Sequence, residues 1–287
     1  MKDEGRFSLA GKKALIANPE ADFGPQVAEG LCEAGAEVFL CGADMASMEG
    51  IAAGLPPPGC GASALKEYFQ GTEDAASGLA AWAKAEMGRV DCFVYVDPCI
   101  GLAGWEHGLD DIAGNMRVSQ TGLMLTVKHI GMLMAEGGSG DGSGSRSGNG
   151  NGGRSGNGDG DGGGSMLFIS DYAALVGCDV HNYDEAPEAF DEGFSLEYGF
   201  AKGGYVNYAR QAAGYLGEYG VRCNCIAFAP LEGRMPAGFE KAFVRHSHLK
   251  RMASGQDVKG AAVFLASGAS SYITGVTLPV DGGYTAK

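Results

Sequence analysis

Tyr198 and Lys202 stand four residues apart in the run Glu197-Tyr-Gly-Phe-Ala-Lys202. On a helix such a pair shares one face, so the lysine cation lies beside the phenol and favours its ionised form. A phenol held this way can pass a proton to or from a substrate oxygen. Ser170 or Asp171, in Phe168-Ile-Ser-Asp171, is a further group able to hold a carbonyl or hydroxyl. An ionised Asp171 near Tyr198 would raise the phenol pKa and oppose Lys202. A protonated Asp171 would instead donate a hydrogen bond to a carbonyl.

The elements that must position these groups alternate along the chain. Apolar strand-like runs occur at 13–17, 37–41, 92–96, 166–170, 222–227 and 276–280. Between them lie amphipathic stretches at 24–34, 72–87, 110–135, 196–218 and 254–267. Strands apolar on both faces imply a parallel sheet covered by helices on each side. The predicted fold class is therefore α/β, a single Rossmann-like doubly wound domain of about seven strands spanning 1–287. Ligands of such sheets bind at the carboxyl ends of the strands, here near 17–24, 96–101, 170–177 and 227–233.

Gly137 to Ser165 consists only of Gly, Ser, Asn, Asp and Arg, 29 residues that cannot join a core. It reads as a disordered, solvated insert that, as a flexible coil, spans roughly 30 Å. Asn157-Gly-Asp159-Gly-Asp161-Gly162 resembles the start of a calcium loop, but the closing Glu position falls on Phe168 inside a strand. A metal site from Cys223 and Cys225 with His246 and His248 also lacks anything to bring the histidines near. No metal is expected.

The net charge of −14 argues against nucleic acid or anionic membrane as a partner. No apolar run is long enough to span a bilayer, and the charged start lacks an apolar secretory segment, so a cytoplasmic location is expected. The eight cysteines form no Cys-x-x-Cys pair and read as small buried hydrophobes in a reducing compartment. The stretch 178–197 carries seven acids and no Lys or Arg. It reads as a solvated lid, or as a cover that repels phosphorylated and carboxylated ligands and tolerates a small neutral substrate.

The tail Ala261-Ala-Val-Phe-Leu-Ala-Ser267, followed by Ser271-Tyr-Ile-Thr-Gly-Val-Thr-Leu-Pro-Val-Asp-Gly-Gly283, resembles the last helix and strand of the short-chain dehydrogenase/reductase family. Leu249-Lys-Arg-Met252 and Tyr215-Leu-Gly-Glu-Tyr-Gly-Val-Arg-Cys-Asn-Cys225 resemble it too, most nearly a bacterial sugar and surface-glycan branch. The resemblance implies an NAD or NADP cofactor, Tyr198 as proton donor and Lys202 as its support and the holder of the nicotinamide ribose. It also implies a homo-oligomer, dimer or tetramer, or pairing with a related subunit through the two long helices and last strand.

Against that pattern the cofactor-facing loops are changed. The family's glycine-rich first turn is Ala17-Asn18-Pro19-Glu20-Ala21-Asp22-Phe23-Gly24 here, with only Gly24 kept. Glycines there let backbone amides approach a pyrophosphate at the helix N-terminus. Glu20 and Asp22 add negative charge instead, each costing about 3 kcal/mol against a phosphate 5 Å away at an effective dielectric near 20. The ribose-binding acid after the second strand has only Asp44 as a nearby substitute, and Tyr95-Val96-Asp97-Pro98 stands for the family's Asn-Asn-Ala-Gly. Phe228-Ala229 stands for its Pro-Gly, Ser119 for its helix Asn and Asp171 for its catalytic Ser, with Ser170 one residue early.

The candidate cofactor-facing residues are thus Asn18, Asp22, Phe23, Gly24, Asp44 and Asp97. Three readings stand: a family homologue whose NAD(P) binding and dehydrogenase activity are weakened or lost, an active NAD(P)-dependent oxidoreductase on a neutral sugar, carbonyl or hydroxyl substrate, and a redox-free dehydratase or lyase using Asp171 with Tyr198.

Overall fold

The short apolar runs become the strands of one parallel sheet. The computed structural model describes residues 5–56, 62–98, 102, 106–137, 163–187, 190, 195 and 197–286. Strands β1 (Lys13–Ala17), β2 (Glu37–Gly42), β3 (Ala62–Glu67), β4 (Cys92–Val96), β5 (Ser165–Asp171), β6 (Arg222–Phe228) and β7 (Thr277–Val280) lie in the order β3-β2-β1-β4-β5-β6-β7. Among the described residues the helices are α1 (Gly24–Glu33), α2 (Met45–Gly54), α3 (Glu73–Met87), α4 (Leu109–Met116), α5 (Gly122–Gly137), α6 (Tyr198–Leu216), α7 (Ala237–His246) and α8 (Gly255–Ala266). β3 and α2 were not foreseen. The polar run Ala-Ser-Ala-Leu-Lys-Glu of β3 is an edge strand, half exposed, so it carries little apolar signal.

Successive side chains of each strand point to opposite faces. Ile16, Leu40, Val94 and Ile169 pack under α1 and α8, while Leu15, Phe39, Phe93 and Phe168 pack under α3, α5 and α6. Both faces of the central strands are therefore dry, as their continuous apolar sequence requires. The order in which strands are added reverses between β1 and β4, which run parallel, and this opens the crevice outside their carboxyl ends.

The helix expected over 110–135 is interrupted. Between α4 and α5, residues Arg117–Thr121 form a π turn, and this extra residue swings Ser119 into the interior. The expected insert is shorter at both ends: Gly137 closes α5, and Ser165 is a buried β5 residue whose hydroxyl donates to Leu265 O at 2.8 Å. The calcium-like run 157–162 lies outside the described residues, as do Leu196, Cys60 and Cys99. Cys32, Cys41, Cys92, Cys223 and Cys225 are buried, but Cys178 is exposed because the segment after β5 runs over the surface. Among the described residues, no helix is long and apolar enough to cross a membrane.

Candidate functional site

Helix α6 starts at Tyr198, so Tyr198 and Lys202 share a face one turn apart, with the Lys202 ammonium 4.8 Å from the Tyr198 ring centroid. Strand β5 ends at Asp171, and the Tyr198 hydroxyl donates to Asp171 Oδ2. Asp171 Oδ1 accepts from Ala173 N at 2.8 Å and so caps the turn Tyr172–Ala174. Burial raises the Asp171 pKa; Lys202 and the Tyr198 hydrogen bond pull it back without cancelling the shift. The carboxyl therefore holds its proton more tightly than an ordinary aspartate.

Lys202 is turned toward a second carboxyl. Its ammonium lies 2.9 Å from Asp97 Oδ2 and 3.8 Å from Asp171 Oδ2. Asp97 Oδ1 accepts from the Ser119 hydroxyl at 3.0 Å and from the Tyr205 hydroxyl at 2.9 Å. Gln120 Nε2 donates to Ser119 Oγ at 3.1 Å and to Ala201 O at 2.8 Å, tying the π turn to α6. Asp97, Ser119, Tyr205 and Lys202 are all buried. Tyr198 is only half-buried. It is the member of the cluster nearest to solvent.

Tyr205 and Gln120 were not anticipated. The signal for Tyr205 was present, since it follows Lys202 by three residues and shares its helix face. Ser170 does not join the cluster. Its side chain leaves β5 on the opposite face from Asp171, where its hydroxyl donates to Lys202 O at 3.4 Å.

The first loop folds into the crevice. Asn18 adopts the left-handed conformation (φ 59°), and its Nδ2 donates to Val96 O at 2.9 Å, joining the ends of β1 and β4. Phe23 is also left-handed (φ 71°) and buried, its ring 5.0 Å from that of Phe228 at the end of β6. Gly24 accommodates a turn so tight that a Cβ there would lie 2.3 Å from Pro19 O. Asp22 is exposed.

Glu20 reaches back to the end of β2. Its Oε1 accepts from Ala43 N at 2.7 Å and from Asp44 N at 3.4 Å. Burial pushes the adjacent Cys41 thiol well up, and the Glu20 charge adds to that shift. Asp44 itself caps α2, accepting from Ser47 N at 3.1 Å and Ser47 Oγ at 2.6 Å; these bonds lower its pKa. Its carboxylate is engaged within its own helix turn.

Beside the acidic stretch lies a cluster of aromatic rings. Tyr172, Phe243 and Tyr284 pack together, with Phe243 and Tyr284 stacked at 4.1 Å. Asn182 Nδ2 donates to Tyr284 OH at 2.8 Å, which fastens the turn Val180–Tyr183 to the C-terminal tail. Residues 188–189, 191–194 and 196 of the acidic stretch lie outside the described residues.

Residues 183–285 match the family described as Enoyl-(Acyl carrier protein) reductase. Across almost the whole chain, the sequence is similar to cis-4-hydroxycyclohexanecarboxylate dehydrogenase of Sinomonas cyclohexanicum, 27% identical over 97% of this chain and 98% of that protein. Residues 183–285 thus carry the family match, and the chain as a whole is similar to dehydrogenases. D-threitol dehydrogenase of Mycolicibacterium smegmatis is likewise 27% identical, covering 98% of this chain and 95% of that one. The short-chain dehydrogenase/reductase fold is seen again in a gluconate 5-dehydrogenase of Burkholderia cenocepacia, solved with NADP and tartrate. It superposes with a TM-score of 0.77 at 21% identity over 99% of both chains.

Proposed function

We propose that this chain is a short-chain dehydrogenase/reductase homologue whose NAD(P) binding and dehydrogenase activity are weakened or lost, and whose retained role is non-catalytic assembly. The observation that carries this reading is the contact of Phe23 with Phe228 at 5.0 Å. The turn after β1 and the end of β6, at the carboxyl edge of the sheet where ligands of such folds bind, are joined there by apolar carbon. The residues present do not fit a pyrophosphate, because Pro19 has no N–H to offer and Glu20 brings a carboxylate into the turn. Lys202 is neutralised by Asp97 at 2.9 Å, so its charge is spent inside the protein.

Assembly is supported by apolar side chains left on the surface of the two long helices. Met124 and Met132 of α5 and Phe200 and Tyr215 of α6 are exposed. Such side chains gain from burial against a second copy or a related subunit. β7 is a sheet edge, but Pro279 lacks an N–H and blunts it against strand addition.

A second reading rests on the full-length similarity to D-threitol dehydrogenase. In it, Tyr198 and Lys202 serve an NAD(P)-dependent reaction on a small neutral sugar, carbonyl or hydroxyl compound. Titration of the purified chain with NADH and NADPH, followed by calorimetry, separates the two. No heat of binding at millimolar cofactor is expected, together with an oligomer by light scattering. Micromolar binding would favour the second reading and overturn the first.

A further inference from the structure

Glu197 stands one residue before Tyr198, at the start of α6, and its carboxylate is not used within its own helix. Glu197 O accepts from Ala201 N at 2.8 Å and so opens the helix, but the Glu197 side chain makes no cap bond to it. The N–H groups of a first turn ordinarily take a side-chain oxygen, and a negative charge there gains from the helix dipole. Glu197 instead sends Oε1 away from the helix, where it accepts from Leu102 N at 2.9 Å and from Asn115 Nδ2 at 3.3 Å. Leu102 lies on the chain that leaves β4 beyond Asp97, and Asn115 belongs to α4. One carboxylate thus ties the start of α6 to two other parts of the fold. Burial pulls the Glu197 pKa up, but the hydrogen bonds it accepts outweigh this and leave it below the ordinary carboxylate range. It is charged at neutral pH, and its bonds are charge-assisted.

Tyr198 needs such an anchor. It is the first residue of α6, and first turns fray because their N–H groups lack a partner within the helix. Its hydroxyl nevertheless reaches Asp171 Oδ2 at the end of β5. On the far side of the same turn, Gln120 Nε2 holds Ala201 O at 2.8 Å and Asp97 holds the Lys202 ammonium at 2.9 Å. On the near side, the bonds that leave the helix are those of Glu197. We propose that Glu197 is the positioning residue of Tyr198: it pins the first turn of α6 to α4 and to the chain beyond β4, and so keeps the Tyr198 hydroxyl on Asp171. Side-chain length sets this, since a carboxylate one methylene shorter does not reach Leu102 N and Asn115 Nδ2 from the same backbone position. The inference goes beyond an assembly role, because it needs neither a bound dinucleotide nor turnover.

The test sets Glu197→Asp, which keeps the charge but loses the reach, against Glu197→Gln, which keeps the length and the accepting oxygen. Nitration by tetranitromethane, located at Tyr198 by mass spectrometry, reads the phenol. Hydrogen exchange of the Leu102 amide, followed by NMR, reads the tie itself, and the Val94 amide in the centre of β4 reads the fold as a whole. Glu197→Asp is expected to speed both Tyr198 nitration and Leu102 exchange by about tenfold, with Val94 unchanged, while Glu197→Gln stays at the wild-type rates. Equal Tyr198 nitration in wild type and Glu197→Asp overturns the proposal. So does a rise that Val94 exchange matches, which marks general loss of stability, or one that Glu197→Gln shares, which assigns the effect to charge. Glu197→Ala takes the place of Glu197→Asp where the latter does not fold. The outcome is independent of the cofactor titration: wild type that binds NADPH sinks the assembly reading, whereas unchanged Tyr198 nitration sinks only the role given to Glu197.

Discussion

The Lys202 ammonium sits between two buried carboxyls, 2.9 Å from Asp97 Oδ2 and 3.8 Å from Asp171 Oδ2. One cation thus serves two acids. Burial raises the pKa of Asp171, the more distant of them, and the charge of Asp97 adds to the shift. Asp97 is further fixed by Ser119 and Tyr205, so the close pair is the better-bonded one. Removing one partner of a buried, hydrogen-bonded ion pair leaves the other charge without compensation and costs about 3 kcal/mol or more. Asp97→Asn is therefore expected to lower stability by about that amount, checked by urea denaturation of both proteins at neutral pH.

Asp171 gives a dependence on pH with a definite sign. Its folded pKa is raised above the unfolded value, so the folded state binds this proton more tightly. The resulting stabilisation is full below the unfolded pKa, near pH 4, and is lost as pH rises through the folded pKa. Asp171→Asn does not titrate there. The stability difference between wild type and Asp171→Asn should accordingly shift against wild type as pH increases from about 4. Parallel denaturation curves across pH 4 to 8 measure it, and a difference independent of pH would show that the carboxyl is not perturbed.

Glu20 and Gly42 should be energetically coupled. A methyl group at position 42 would stand 2.2 Å from Glu20 Oε2, so Gly42→Ala must displace the Glu20 side chain. Overpacking of this kind costs about 1–3 kcal/mol. In a Glu20→Ala background the obstacle is gone, and the same substitution should cost less. A double-mutant cycle by thermal unfolding reads the difference, with a coupling of about 1 kcal/mol expected for groups in contact. Additive effects would mean that the carboxylate is not held over Gly42.

Phe23 reverses the usual order of Ala over Gly at a helix start. Its backbone is left-handed at φ 71°, a conformation that costs a residue with a Cβ about 1–2 kcal/mol relative to glycine. Both Phe23→Ala and Phe23→Gly lose the ring contact with Phe228, but only glycine sheds the strain. Phe23→Gly should therefore be the more stable of the two by about 1 kcal/mol. Their melting temperatures decide it; equal values would mean that the turn relaxes when the ring is removed.

The sequence by itself determined the scaffold and the address of the chemical groups. Continuous apolar strands alternating with amphipathic helices admit a parallel sheet covered on both faces, and the i, i+4 spacing put Tyr198 beside Lys202 before any coordinates. Asp171, Ser119 and Asp97 were legible as positions through the resemblance to the short-chain dehydrogenase/reductase family. The edge strand β3 was not, since a half-exposed strand has little apolar pattern to read.

Only the tertiary structure decided what the groups are bonded to. Lys202 turns to Asp97, 105 positions away along the chain, because the ends of β4 and α6 meet in the folded sheet. Glu20 was legible as a repulsive charge, yet it binds the amides of Ala43 and Asp44 across the gap between β1 and β2. Phe23 finds Phe228 over an even longer separation. Spacing within one helix or strand is written in local sequence, but partners on different elements are set by where the sheet places their ends. In this chain those long-range partners, not the residue types alone, set what lines the crevice.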